Sequence, residues 1–334
     1  VTDQAWPWPA GAATGIGSLP GTDIAEAQRV VLGELPALPH LPELPPGGRG
    51  PTSSVDRWAA GRAAGGALRG PLAGRAASRP RPAPGPRPDG TRPRPARRAG
   101  RGVRRADQGP GGRPLTLAAA LELPIGGPDA AGPGRVRDLA GSLAEGLRGH
   151  VAAVAPPAAP ARRCCSSWDE PSLPTVLAGR VPTESGLGAY RAVESTAAAD
   201  LLRTVIEAVG VPTVVHCCAP DVPLELIRSA GATGVALDLS LVTKLDPLGE
   251  AIDAGLGLLA GAAPTLPPPA GRAPTSADVA DRVRAVWDRL GFPRRRLAEQ
   301  VVVTPACGLT GATPEYARTV LAACRDAGRR LAED

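Results

Sequence analysis

The feature that most constrains this chain is a repeating alternation in its second half. Short continuous apolar runs at 212–218, 234–239, 255–260 and 301–305 are separated by stretches with helical spacing at 196–209, 222–230, 248–254, 276–290 and 314–331. A run without polar alternation, such as Val301-Val302-Val303, suits a strand covered on both faces. Parallel strands need a crossover between them, and the intervening helices supply it. The class this pattern implies is α/β.

The first half carries the same vocabulary more thinly. Residues 14–18 read as a short strand ending in a turn at Leu19-Pro20. Thr22 or Asp23 can cap a helix bearing Ala25, Val30, Val31 and Leu35, and helical stretches are expected at 116–123 and 135–154. Ser18, Asp169, His216, Cys218, Asp238 and Cys307 all fall where strands end. In a (β/α)₈ barrel the C-terminal ends of the strands form the catalytic face. A doubly wound sheet is the rival, but six reactive strand ends fit a closed ring better.

Composition matters at one place. The net charge is +6, yet residues 57–113 hold 15 Arg against only Asp89 and Asp107, a local +13 that leaves −7 on the rest. This segment is built from Arg, Pro, Ala and Gly and cannot bury enough apolar surface to offset its ordering entropy. A solvated linker is one reading. An RNA-binding arm is another, although the aromatic platforms of single-strand binders are missing. A third is out-of-frame translation of a GC-rich gene: one codon choice for residues 108–114, shifted by a base, reads Lys-Val-Gln-Val-Ala-Gly-Pro, an alternating strand and turn. The same reading applies near residues 164–168. No run of 18 apolar residues occurs, so no spanning helix is expected. No basic stretch followed by an apolar core opens the chain, so no secretory leader is expected either.

Six cysteines without a compact framework argue against disulfides. Cys324 lies inside a helical stretch, where a small buried hydrophobe is the ordinary role. Cys164 and Cys165 fall in the stretch of doubtful frame. Cys217, Cys218 and Cys307 remain, with His216 beside the first two. The strand period of two puts His216 and Cys218 on one face and turns Cys217 to the other. With Asp238 these supply an imidazole, two thiolates and a carboxylate, a set that suits tetrahedral zinc. By spacing alone, buried structural thiols remain the alternative.

These residues also carry a resemblance. Ile16-Gly17-Ser18-Leu19-Pro20, Asp169-Glu170-Pro171-Ser172-Leu173, His216-Cys217-Cys218, Leu237-Asp238 and Thr304-Pro305-Ala306-Cys307-Gly308-Leu309 together resemble the C-terminal catalytic domain of cobalamin-independent methionine synthases, in the short actinobacterial form. The likeness spans roughly residues 1–48 and 114–334 and fails across about 50–113 and 155–168. It implies one (β/α)₈ barrel domain over residues 1–334, of the kind shared with uroporphyrinogen decarboxylases, irregular across 50–113. It implies zinc held by His216, Cys218, Asp238 and Cys307, with Asp238 where the family usually has Glu. It places homocysteine at Ile16, Gly17 and Ser18, with Asp169 on the substrate's amino group. The implied reaction moves a methyl group to the thiol, giving methionine, from a methyl-tetrahydrofolate polyglutamate or a methyl-corrinoid. A small-molecule thiol is the implied substrate and a methyl-carrier protein a further partner; neither membrane nor nucleic acid is expected, and the cytoplasm is the expected compartment.

The resemblance also has gaps. The family's proton-donating His after the strand at 255–260 has no counterpart in Ala260-Gly261-Ala262-Ala263-Pro264-Thr265, so no proton donor is assigned. A second acidic contact to homocysteine is expected within 50–113, where nothing matches. Alternatives are a corrinoid-dependent methyltransferase, a porphyrin-decarboxylase-like barrel, or a degenerate barrel without activity.

Overall fold

The computed structural model describes residues 5–45, 133–154, 165–183, 187–268 and 272–334. The expectations for 50–113 and for the helix at 116–123 lie outside the described residues. In chain order the elements are α1 (Ile24–Glu34), α2 (Pro133–Val154), β1 (Ser166–Asp169), α3 (Leu173–Leu177), α4 (Ser195–Val209), β2 (Thr213–Cys217), α5 (Leu224–Ser229), β3 (Gly234–Asp238), α6 (Asp246–Asp253), β4 (Gly257–Ala263), α7 (Ser276–Leu290), α8 (Arg294–Gln300), β5 (Val301–Pro305) and α9 (Pro314–Ala332). A single 3₁₀ turn, Leu239–Leu241, follows β3.

The five strands are all parallel and lie in the order β1-β2-β3-β4-β5. Beyond β5 the next neighbour is the start of the chain. Ala13 bridges Val303, with Thr14 N–H donating to the Val303 carbonyl at 3.1 Å and Val303 N–H to that of Ala12 at 3.0 Å. Ser18 in turn bridges Glu43. The neighbour order is therefore singly wound, and the first segment joins the last strand. That is the path of a barrel wall, whereas a doubly wound sheet reverses its order partway. The barrel is incomplete among the described residues, where no strand links the Glu43 segment to β1.

The strand period sorts side chains into two layers. Val215, Val235, Leu258, Val301 and Val303 face outward and join the main core with the helices. Val214, Ala236, Leu259 and Val302 face inward and pack with Trp8 and Ala12. The Trp8 ring lies so close to β4 that a Cβ on Gly257 would fall 2.5 Å from it. Trp6 stacks on Trp8 at 5.3 Å, and Trp8 Nε1 donates to the Glu299 carbonyl at 3.1 Å. An indole plug thus fills one end of the inner layer.

Local chemistry explains most boundaries. Asp23 caps α1 through Oδ1, which accepts from the backbone of Ala25 and Glu26. Helix α7 is capped by Thr275 in a reciprocal box with Asp278, so Ser276 is the first helical residue. Helices α4 and α7 stop at Gly210 and Gly291 in the left-handed conformation. The strand expected at 255–260 runs instead over Gly257–Ala263, because Gly255 (φ 91°) turns the chain into it. Helices α3 and α8 are short; α8 opens on Arg294-Arg295-Arg296 and buries only Leu297 and Gln300, which left no apolar period to read.

Candidate metal centre

Two strands deliver the sulfurs. Cys218 follows β2 directly, and Cys307 lies two residues beyond β5. Their Sγ atoms are 3.5 Å apart, with the Cys307 thiol donating toward Cys218. His216 stands on β2, 2% exposed, on the same face as Cys218. One ligand atom from each of His216, Cys218 and Cys307 lies within 4.8 Å of the others. Cys217 faces the opposite way, is buried, and its thiol is pushed up to about 12, chiefly by burial. Cys324 is fully buried in α9 and its thiol is pushed up by burial alone, as a packing residue.

Asp169 is the residue opposite His216 in the β1–β2 register. Its Oδ1 accepts from His216 Nδ1 at 2.7 Å. The other ring nitrogen, Nε2, is buried and has no hydrogen-bond partner among the described residues. Burial opposes protonation of this ring, but the hydrogen bond to Asp169 and the nearby negative charge of Asp169 and Cys218 outweigh it and raise it to about 9 in the metal-free chain. Cys307 is pushed up by its contact with Cys218 and by burial, so the two sulfurs hold on to a proton between them.

The donor set fits zinc. Zinc–sulfur bonds of about 2.3 Å in a tetrahedron put two sulfurs roughly 3.8 Å apart, close to what is seen. A buried imidazole nitrogen without a partner costs free energy, and a cation among two thiolates would relieve it.

Asp238 is placed differently. It ends β3, and its Oδ1 accepts from Ser240 N at 2.9 Å and from Ser240 Oγ at 2.6 Å, capping the 3₁₀ turn. It is not among the residues whose ligand atoms converge within 4.8 Å.

Ile16 and Ser18 lie beside the backbone that follows Cys307. Gly17 adopts φ 82°, the left-handed region that glycine tolerates, and lets Ser18 N–H reach back to the Ile16 carbonyl at 3.1 Å. The Ser18 carbonyl accepts from Leu309 N at 2.8 Å. Its hydroxyl occupies the space where Gly308 would carry a side chain: a Cβ there would fall 1.9 Å from Ser18 Oγ. Ser18 therefore abuts the residue after Cys307.

Glu43 is the residue the sequence reading passed over. Its N–H donates to the Gly17 carbonyl, and its carbonyl accepts from Leu19, both at 2.9 Å. Its carboxyl group lies 3.7–3.9 Å from where a Gly17 side chain would begin. The only signal was a single acid in Leu41-Pro42-Glu43-Leu44-Pro45. At the end of β4, Arg282 donates to the Ala262 carbonyl at 2.8 Å, and the Tyr316 hydroxyl lies 3.1 and 2.9 Å from the carbonyls of Pro264 and Leu266.

Residues 167–330 match the family described as cobalamin-independent synthase, catalytic domain. No curated protein matches the chain. Among solved structures, a B12-independent methionine synthase from Shewanella sp. W3-18-1, in complex with selenomethionine, is 16% identical, with a TM-score of 0.41, and the alignment covers 59% of this chain and 56% of that one. A methyltransferase from Methanosarcina mazei is also 16% identical, with a TM-score of 0.40 and coverage of 64% and 56%. The chain thus spans little more than half the length of either.

Proposed function

We propose, on the premise that residues 167–330 are the catalytic domain of a cobalamin-independent synthase, that this chain is a zinc-dependent methyltransferase acting on a thiol, with homocysteine as acceptor and methionine as product. The observation that carries the reading is the convergence of Cys218, Cys307 and the partnerless Nε2 of His216. His216, Cys218 and Cys307 would hold the zinc. Asp238 would take the fourth ligand position that the resemblance assigns to it, exchanging its Ser240 partner on loading. Bound zinc would supply Lewis acidity that lowers the pKa of an incoming thiol from its usual value of about 8.5.

The chain's own residues do the rest. The strand tip Ile16-Gly17-Ser18 offers backbone and hydroxyl groups next to Cys307-Gly308 for the substrate's polar end. Glu43 and Asp169 provide carboxylates for its ammonium group. The Cys218–Cys307 pair sets a negative field around the substrate sulfur, which keeps it nucleophilic. In the transfer the sulfur attacks the methyl carbon in line: the new C–S bond forms as the donor's bond to that carbon breaks. With a methyl-tetrahydrofolate the leaving nitrogen takes up a proton; with a methyl-corrinoid the carrier keeps the bonding electron pair.

The whole chain would work as one barrel domain in the cytoplasm, and no helix among the described residues is long and apolar enough to cross a membrane. The test is metal content and methyl transfer measured together. Purified protein should hold one zinc per chain and convert homocysteine to methionine with methyl-tetrahydrofolate or a methyl-corrinoid. Zinc-free protein that transfers methyl at the same rate, or zinc-loaded protein inert with both donors, would end the reading.

A further inference from the structure

Asp169 does something that a substrate-amine contact does not require. It sits on β1, not on a loop, and the parallel register puts it opposite His216. The next residue secures the pairing, since Glu170 N–H donates to the His216 carbonyl at 2.7 Å. Trp168, 1% exposed and hydrogen-bonded to Ser166, anchors the strand from its other face. The carboxylate is therefore delivered to the ring by the sheet itself.

A neutral imidazole has one N–H and one lone pair, and the partner of one nitrogen decides the role of the other. Here Oδ1 of Asp169 can only accept, so Nδ1 carries the proton. In the neutral ring, the form that binds a metal, Nε2 then keeps its lone pair, and a ligand atom of this ring lies within 4.8 Å of both sulfurs. We propose that Asp169 is a positioning residue for the metal centre: it fixes the tautomer and the plane of the His216 ring, so that Nε2 meets the ion already oriented. This rests on the zinc reading above and adds to it a carboxylate–histidine–metal relay through the first strand of the sheet.

The experiment compares zinc affinity in the full chain, by competition with a chromophoric chelator, for wild type, Asp169→Asn and Asp169→Ala. It also follows the His216 Nδ1 proton by NMR in the zinc-loaded proteins. Outer carboxylate partners of metal-bound histidines typically account for about ten- to a hundredfold in affinity. Asp169→Ala should weaken zinc by that range and lose the downfield, slowly exchanging ring proton. Asp169→Asn keeps shape and acceptor and should fall between, with the proton present but exchanging faster. It decides the matter by itself if the alanine variant does not fold. Variants that bind zinc within threefold of wild type and keep the ring proton unchanged would overturn the inference while leaving the zinc reading intact. Wild-type protein that does not bind zinc would take both down.

Discussion

His40, in an irregular stretch after α1, and His216, on β2, are driven in opposite directions. His40 accepts at Nδ1 from the Gly15 backbone N–H at 3.2 Å, and burial lowers it to about 4. His216 donates at Nδ1 to a carboxylate, faces thiols, and rises to about 9 without metal. Both keep a buried Nε2 without a partner among the described residues. The chemical difference is the polarity of the group at Nδ1. A backbone N–H leaves the far nitrogen of a neutral ring as a donor; a carboxylate leaves it as an acceptor, which a metal can use. Burial alone therefore does not mark a ligand, and the partner's sign does.

The largest effect is expected at the sulfurs. Cys307→Ala or Cys218→Ala should cut zinc affinity more than about a hundredfold, beyond what outer partners account for, and abolish methyl transfer. His40→Gln should leave chelator competition within a fewfold of wild type. Equal losses from both kinds of variant would erase the distinction.

The next effect is on stability against pH, read by urea unfolding in chelator. His40 binds its proton less well folded than unfolded, so its contribution is full above about pH 6.5 and is lost as the pH falls toward 4. A depression of this size corresponds to at most about 3 kcal/mol. His216 has the reverse sign: its contribution in the metal-free chain is full below about pH 6.5 and is lost as the pH rises through about 9. His40→Gln should flatten the acid limb and His216→Gln the alkaline one. A single variant flattening both would show that the two sites titrate together.

Gly15→Ala sharpens the contrast by steric means. The new Cβ would fall 2.2 Å from His40 Cε1. The overpacking should cost about 1–3 kcal/mol, seen as a lower urea midpoint with zinc affinity unchanged.

The smallest effect is at Asp238. Asp238→Ala removes the cap on Ser240 and should cost about 1 kcal/mol of stability. Its zinc affinity should drop by less than in either thiol variant. A loss as large as theirs would make the carboxylate an equal ligand.

Much of this was legible beforehand because it depends on period. The spacing His216-x-Cys218 assigns both side chains to one face and Cys217 to the other, with no tertiary knowledge needed. Cys307 was visible as the residue just past a continuous apolar run. The pairing of Asp169 with His216 was not, because register between strands 47 residues apart leaves no trace in local pattern. Glu43 was missed for a related reason: its significance comes from the bridge to Ser18, and its own neighbourhood reads as a proline-rich connector. The expected carboxylate at Asp238 was found at its strand end, turned to Ser240 by a local hydrogen bond that competes with more distant partners.

The pairing of residues 12–14 with Val303 also has a consequence for synthesis. Contacts spanning nearly the whole chain form late, since closing so long a loop must wait for both partners. On the ribosome the opening segment has no strand to join until the stretch around Cys307 has emerged. The sulfurs come together at that same late moment, so a nascent chain would hold no complete candidate metal site until β5 is made.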